Sequence, residues 1–198
     1  MSQNTDAKPS GSQQHDQVAD WIHSVVALEG HIEEAMDRQL NIEAPTSELN
    51  DAIQHFHDSV RDSKRRAEAY AEQYGSKASG GIVAKGAEIL GAAAGLIDKV
   101  RKDNVAKSLR DDYTAYNFAA ISYTMLHTTA MAVNDKQTAS FAEQGLRTYA
   151  GLVQKINHVM PAAVLHDLEE NPDMPIDRRQ ITEQCRKMID DAWKSTAQ

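Results

Sequence analysis

Residues 105–133 read VAKSLRDDYTAYNFAAISYTMLHTTAMAV. Leu109, Tyr113, Tyr116, Ala120, Tyr123, His127 and Ala130 recur at alternating spacings of three and four, the repeat of one helix face. Phe118, Ile121 and Met125 make the other side partly apolar, so the spacing predicts a long helix covered on more than one side. Asn134 and Asp135 close it.

Three further runs flank this one. Downstream, from about Thr138 to Met160, Ala142, Leu146, Tyr149, Val153 and Ile156 form one stripe, and Pro161 is expected to stop the helix. Upstream, Leu49, Ile53, Phe56, Val60, Ala67 and Tyr70 share a face in a run that reaches about Tyr74, with Thr46 or Ser47 as its cap and Gly75 as its stop. Before that, Trp21, Ile22, Val25, Ile32, Met36 and Leu40 repeat in a run that begins at Asp16 and ends at Pro45. No sustained alternation of period two supports strands. Short loops join the first two runs and the last two, and Gly75 to about Asn104 separates the pairs. The expected fold is therefore all-α, a ferritin-like four-helix bundle with one long Gly/Ala-rich crossover and an extra C-terminal helix.

The domain plan follows from composition. Residues 1–15 are polar and read as a mobile tail. Residues 16–160 form the bundle, with 75–104 as the crossover, which holds six of the ten glycines. Residues 161–198 form an extension whose helix is opened by Asp177 and carries Ile181, Cys185, Met188 and Trp193 on one side. Docking of that face on the bundle is expected, with capture of a protein partner as the other use.

The chain has 198 residues, with 21 Lys and Arg against 29 Asp and Glu, a net charge of −8. That balance argues against nucleic acid as a partner, because phosphate binding needs a positive surface. A lone Cys185 excludes an internal disulfide framework. The polar start lacks the apolar stretch of a secretory signal, and no window is apolar enough to span a bilayer, so a cytoplasmic protein without membrane contact is expected. No phosphate loop, nucleophile elbow, HExxH or dinucleotide fingerprint is present.

The segments WIHSVVALEGHIEEAMDRQL, LNDAIQHFHDSVRDSKRRAEAYAEQYG and AYNFAAISYTMLHTTAMAVND resemble the YciE/YciF family of ferritin-like proteins. Glu33, Met36 and Leu40 fit that family's Glu-x-x-Leu/Met-x-x-x-Leu stretch in the first helix. The resemblance covers residues 18 to about 160. It implies the bundle fold, a bacterial stress-response context and, in ferritin-like relatives, two metal ions held by carboxylates and histidines.

The residues themselves argue against such a centre. Two ions need about four carboxylates and two histidines projecting into the core. The first helix offers Glu29 and Glu33, and the second offers His57, beside Phe56, and Asp58. The third has no carboxylate between Asp112 and Asp135, with Tyr116 and Asn117 where the family pattern places Glu and His. The fourth has Glu143 and then none through Met160. No metal or other cofactor is expected, and Tyr113, Tyr116, Tyr123 and Tyr149 are expected to form a polar layer instead. Glu29 and Glu33 can each be neutralised by a tyrosine or an arginine across the bundle. The alternative is an atypical iron or manganese site on Glu29, Glu33, His57, Asp58 and His127. The sequence thus reads as a non-enzymatic homo-oligomer, a dimer or larger, with an oxidase or metal-storage protein as the other class.

Overall fold

The computed structural model describes residues 11–40, 46–74, 105–169 and 177–195. They form five helices: α1 (Gly11–Gln39), α2 (Ser47–Tyr74), α3 (Val105–Ala132), α4 (Lys136–Glu169) and α5 (Arg178–Ser195). No strand occurs among the described residues. The fold is an all-α helical bundle.

Helix starts carry the expected capping chemistry. Thr46, rather than Ser47, caps α2, its hydroxyl accepting from the Leu49 N–H at 3.3 Å. Asp135 caps α4 by accepting from the Thr138 N–H at 3.0 Å and its hydroxyl at 2.6 Å. Asn134 takes a φ of 60°, the left-handed conformation that reverses the chain between α3 and α4. Asp177 opens α5 through the Gln180 N–H at 3.2 Å.

Helices α1 to α4 form a closed ring in which α1 packs on α2 and α3, and α4 packs on α3 and α2. Met36, late in α1, meets Tyr116 early in α3, whereas Glu29 meets Tyr123 farther along. These two helices therefore run antiparallel. Tyr70, late in α2, stacks on Phe141 early in α4 with ring centroids 4.2 Å apart, so this pair is antiparallel too. Tyr74 and Val105 consequently lie at opposite ends of a bundle about 42 Å long at about 1.5 Å per residue. Residues 75–104 join those two ends, which is the single-crossover connectivity of ferritin-like bundles.

The core matches the apolar stripes. Val18, Ile22, Val25, Leu28, Ile32 and Met36 of α1 meet Leu49, Phe56 and Val60 of α2, Leu109 and Leu126 of α3, and Leu152, Val153 and Ile156 of α4.

Three sequence expectations require correction. Helix α1 begins at Gly11, before Asp16, so the tail boundary at residue 15 is too late; residues 1–10 lie outside the described residues. Pro161 does not stop α4, which continues to Glu169. Ala163 and Leu165 remain buried beyond it, and that continued burial offsets the hydrogen bond a proline cannot donate. In α5 the docking face carries Ile181, Cys185 and Ile189, all part-buried, while Met188 and Trp193 stay exposed. The helix rests on α4, anchored by Arg186, which donates to the His158 carbonyl at 2.9 Å and to Glu48 at 2.6 Å. The crossover and the NPDMP loop lie outside the described residues.

Candidate functional site

A polar level crosses the bundle interior near its middle. Glu29 of α1 is fully buried. Its Oε1 accepts from the Ser63 hydroxyl of α2 at 2.6 Å and from the Tyr123 hydroxyl of α3 at 2.9 Å. Tyr149 of α4 lies beside the same carboxyl, so all four helices contribute to this level. Neither Oε2 of Glu29 nor the Tyr149 hydroxyl completes a well-formed hydrogen bond, yet the phenol lies close enough to the carboxyl to favour its ionised form. Burial pushes the Glu29 carboxyl up to about 7, against the lowering effect of the bonds from Ser63 and Tyr123. A protonated carboxyl at this position costs far less than an isolated buried charge.

Tyrosine rings fill the space around it. Tyr123 and Tyr149 stack with centroids 6.0 Å apart, and Tyr149 and Tyr116 follow at 5.9 Å. All three are fully buried, and their phenols are pushed well above the usual tyrosine range by burial. The Tyr116 hydroxyl donates to the Met36 sulfur at 3.1 Å. Gly145 of α4 makes room for Tyr123, since a Cβ there would overlap the phenol ring. Tyr113, grouped with these three by its spacing, is only part-buried and packs at the edge of the core.

A second buried acid lies toward the end of the α1–α3 interface where α1 finishes and α3 begins. Asp112 accepts from the Gln39 amide at 2.6 Å through Oδ1, while its Oδ2 has no partner. Burial pushes this carboxyl up to about 7 as well. Asp112 served in the sequence only as the edge of a carboxylate-free stretch, and neither Gln39 nor Ser63 was singled out. Each occupies a stripe position: Gln39 three after Met36, Ser63 between Val60 and Ala67, Asp112 between Leu109 and Tyr116. A polar residue interrupting an apolar stripe was the signal available.

The other candidate ligands do not converge on Glu29. Glu33 pairs with Lys64 at 2.7 Å. His57 is buried, as its place beside Phe56 suggested, but its Nε2 is bonded to Asp37 at 2.7 Å. Asp58 pairs with Arg61 at 2.7 Å. His127 is part-buried on α3, on the side of Glu143. Among the described residues, no three His, Cys, Asp or Glu side chains gather in a way that could hold a metal ion. A two-ion centre does not fit this donor set. The level that would hold it offers one carboxylate already accepting two hydroxyl protons, and phenol rings occupy the remaining volume.

A family model described as a domain of unknown function, DUF892, matches residues 13–169. The chain belongs to the DUF892 family. The matched segment ends where α4 ends, so the DUF892 region comprises the four bundle helices and excludes α5. No curated protein matches the sequence. A crystal structure of a protein from Xanthomonas campestris pv. campestris str. ATCC 33913 is similar at 16% identity, covering 81% of this chain and 99% of that one, with a TM-score of 0.63. That likeness is one of fold. Among the described residues, no helix is long and apolar enough to cross a membrane.

Proposed function

We propose that this DUF892 chain is a metal-independent, non-enzymatic bundle of the YciE/YciF type, acting in the bacterial cytoplasm through protein contacts and oligomeric assembly. The observation that carries this reading is the level around Glu29. The carboxyl there is bonded to Ser63 and Tyr123 through one oxygen and enclosed by the rings of Tyr116, Tyr123 and Tyr149, which fill the level where metal-binding bundles place ligands. The stress-response context rests on the family resemblance of the α1, α2 and α3 segments.

The test is elemental analysis of full-length protein purified, without chelators, from cells supplied with iron and manganese. The expected result is far less than one ion per chain, unchanged in Glu29→Ala, with no oxygen consumption on adding ferrous iron. About two ions per chain, lost in that variant, would establish the metal-binding alternative instead.

A further inference from the structure

Aromatic rings form an unbroken file through the bundle. Tyr116, Tyr149 and Tyr123 follow one another inside the core, with centroids 5.9 and 6.0 Å apart. Tyr123 then meets Phe141 edge-on at 5.9 Å, Phe141 lies flat on Tyr70 at 4.2 Å, and Tyr74 follows Tyr70 at 6.2 Å. Tyr70 and Tyr74 are part-buried, so the file leads from fully buried phenols to the end of the bundle where α2 finishes. Aromatics make up only 6% of the chain, yet every tyrosine except Tyr113 stands in this file.

Packing accounts for stacked rings but not for where their protons go. A phenol gives up an electron readily only when its proton leaves with it, because the phenol radical cation is a strong acid. That needs a base within hydrogen-bond reach of the hydroxyl. Tyr116 directs its proton at the Met36 sulfur, and Tyr70 shares one with the Thr138 hydroxyl, and neither partner is a base. Tyr74 faces the Asp135 carboxylate, but the oxygens of Asp135 already accept from the Thr138 N–H and hydroxyl. Against the raising effect of burial, those bonds hold the Asp135 carboxyl below its ordinary value, so it takes a proton poorly. Tyr123 donates to Oε1 of Glu29 at 2.9 Å, and burial raises the proton affinity of that carboxyl. Moving the phenol proton onto ionised Glu29 yields a neutral radical and a neutral acid, which leaves no charge in the core.

From this geometry we infer that Tyr123 is a redox-active tyrosine, the buried end of a relay that takes one oxidising equivalent from a peroxyl radical at Tyr74 and holds it as a phenoxyl radical. The role is separate from the proposed assembly role and needs no metal. An electron leaves Tyr74 for the peroxyl radical, which gains a proton from solvent and becomes a hydroperoxide. The Tyr74 proton passes to Asp135 and returns when the vacancy is refilled from Tyr70 and then Tyr123. At Tyr123 the O–H bond breaks, the electron moves outward past Phe141, and the proton forms an O–H bond to Oε1 of Glu29. A thiol or ascorbate restores the chain by returning one electron along the same rings, and Glu29 hands the proton back. Enclosure by four helices keeps the radical from coupling with a phenoxyl on another molecule.

The experiment is pulse radiolysis of the full chain with azidyl radicals as the one-electron oxidant, following the visible absorption of phenoxyl. The wild-type phenoxyl is expected to outlive that of Tyr123→Phe about tenfold or more, the rate equivalent of one hydrogen bond to a charged group. Glu29→Gln keeps the side-chain shape without the base and is expected to shorten the lifetime as far, whereas Tyr113→Phe leaves it unchanged. Tyr70→Phe is expected to slow the appearance of the long-lived species to a similar extent. A fluorotyrosine placed at position 123 preserves the packing and is expected to add fluorine splitting to the electron paramagnetic resonance signal of samples frozen after oxidation. A lifetime equal in wild type and Tyr123→Phe, or a signal without that splitting, overturns the assignment of Tyr123. A lifetime indifferent to Glu29→Gln overturns it as well, since the phenol then has no base, and indifference to Tyr70→Phe overturns the relay.

Discussion

Tyr123 donates its phenol proton to Oε1 of Glu29 at 2.9 Å, across the interface between antiparallel α1 and α3. The acceptor is a buried carboxyl near its own titration point, so the strength of this bond depends on pH. The Ser63 hydroxyl donates to the same oxygen from α2, which ties three helices to one atom.

Removing either donor should therefore act on the carboxyl as well as on packing. Both bonds favour the ionised form of Glu29, with Ser63 the stronger. Ser63→Ala and Tyr123→Phe are each expected to raise the Glu29 pKa further and to cost about 1 kcal/mol, a typical net hydrogen bond. Carbon-13 detected carboxyl titration and thermal melts at two pH values measure the two effects.

Stability should fall as pH rises from about 4 to about 7. Glu29 and Asp112 start from ordinary values of 4.5 and 3.8 and titrate at about 7 when folded. Across that window the folded chain keeps protons that the unfolded chain releases, so their contribution is full at the acidic end and is lost by neutral pH. A lower Tm at pH 8 than at pH 5 is expected, and Glu29→Gln combined with Asp112→Asn should flatten the difference. A Tm that rises over this interval in the wild type would contradict the assignment.

Gly145→Ala is expected to be among the most damaging single-methyl changes in the molecule. The added Cβ overlaps the Tyr123 ring, and neither the ring, held by Glu29, nor the helix backbone can yield easily. Overpacking of this kind costs about 1–3 kcal/mol. Combining it with Tyr123→Ala should recover part of that loss, a non-additivity visible in a double-mutant cycle by urea denaturation.

Deleting residues 177–198 should leave the bundle folded. Helix α5 contains no fully buried residue, and its anchoring pair joins a part-buried Arg186 to an exposed Glu48, worth about 1 kcal/mol. The expected outcome is a Tm shift of a few degrees at most and a loss of helical signal matching α5 alone.

The bundle was legible because its stripes are long and nearly pure. Four runs with apolar residues at three and four gave helix number and pairing, and the long gap after Tyr74 gave the crossover. Glu29 and the tyrosines were named from their stripes, but Glu33 stood level with Glu29 and Tyr113 with the other three phenols, because spacing alone does not separate a buried seam from its edge. The end of α4 was not. A proline normally terminates a helix, and only the burial of Ala163 and Leu165 outweighs its missing bond. Asp112, Gln39 and Ser63 were missed because one polar residue on a stripe looks like an imperfection in the pattern, and the pairs Gln39–Asp112 and Ser63–Glu29 appear only after α1 is aligned with α3 and with α2.

The connections carry a further consequence for how the chain reaches this arrangement. Only Val133, Asn134 and Asp135 separate α3 from α4, whereas residues 75–104 separate α2 from α3. Closing a connection about ten times longer costs roughly 2 kcal/mol more in chain entropy. The α3–α4 hairpin, rich in contacts between near neighbours in sequence, is thus the natural first-forming unit. The Glu29 level cannot close until α1 and α2 arrive on it, so the buried acid is among the last groups to leave water.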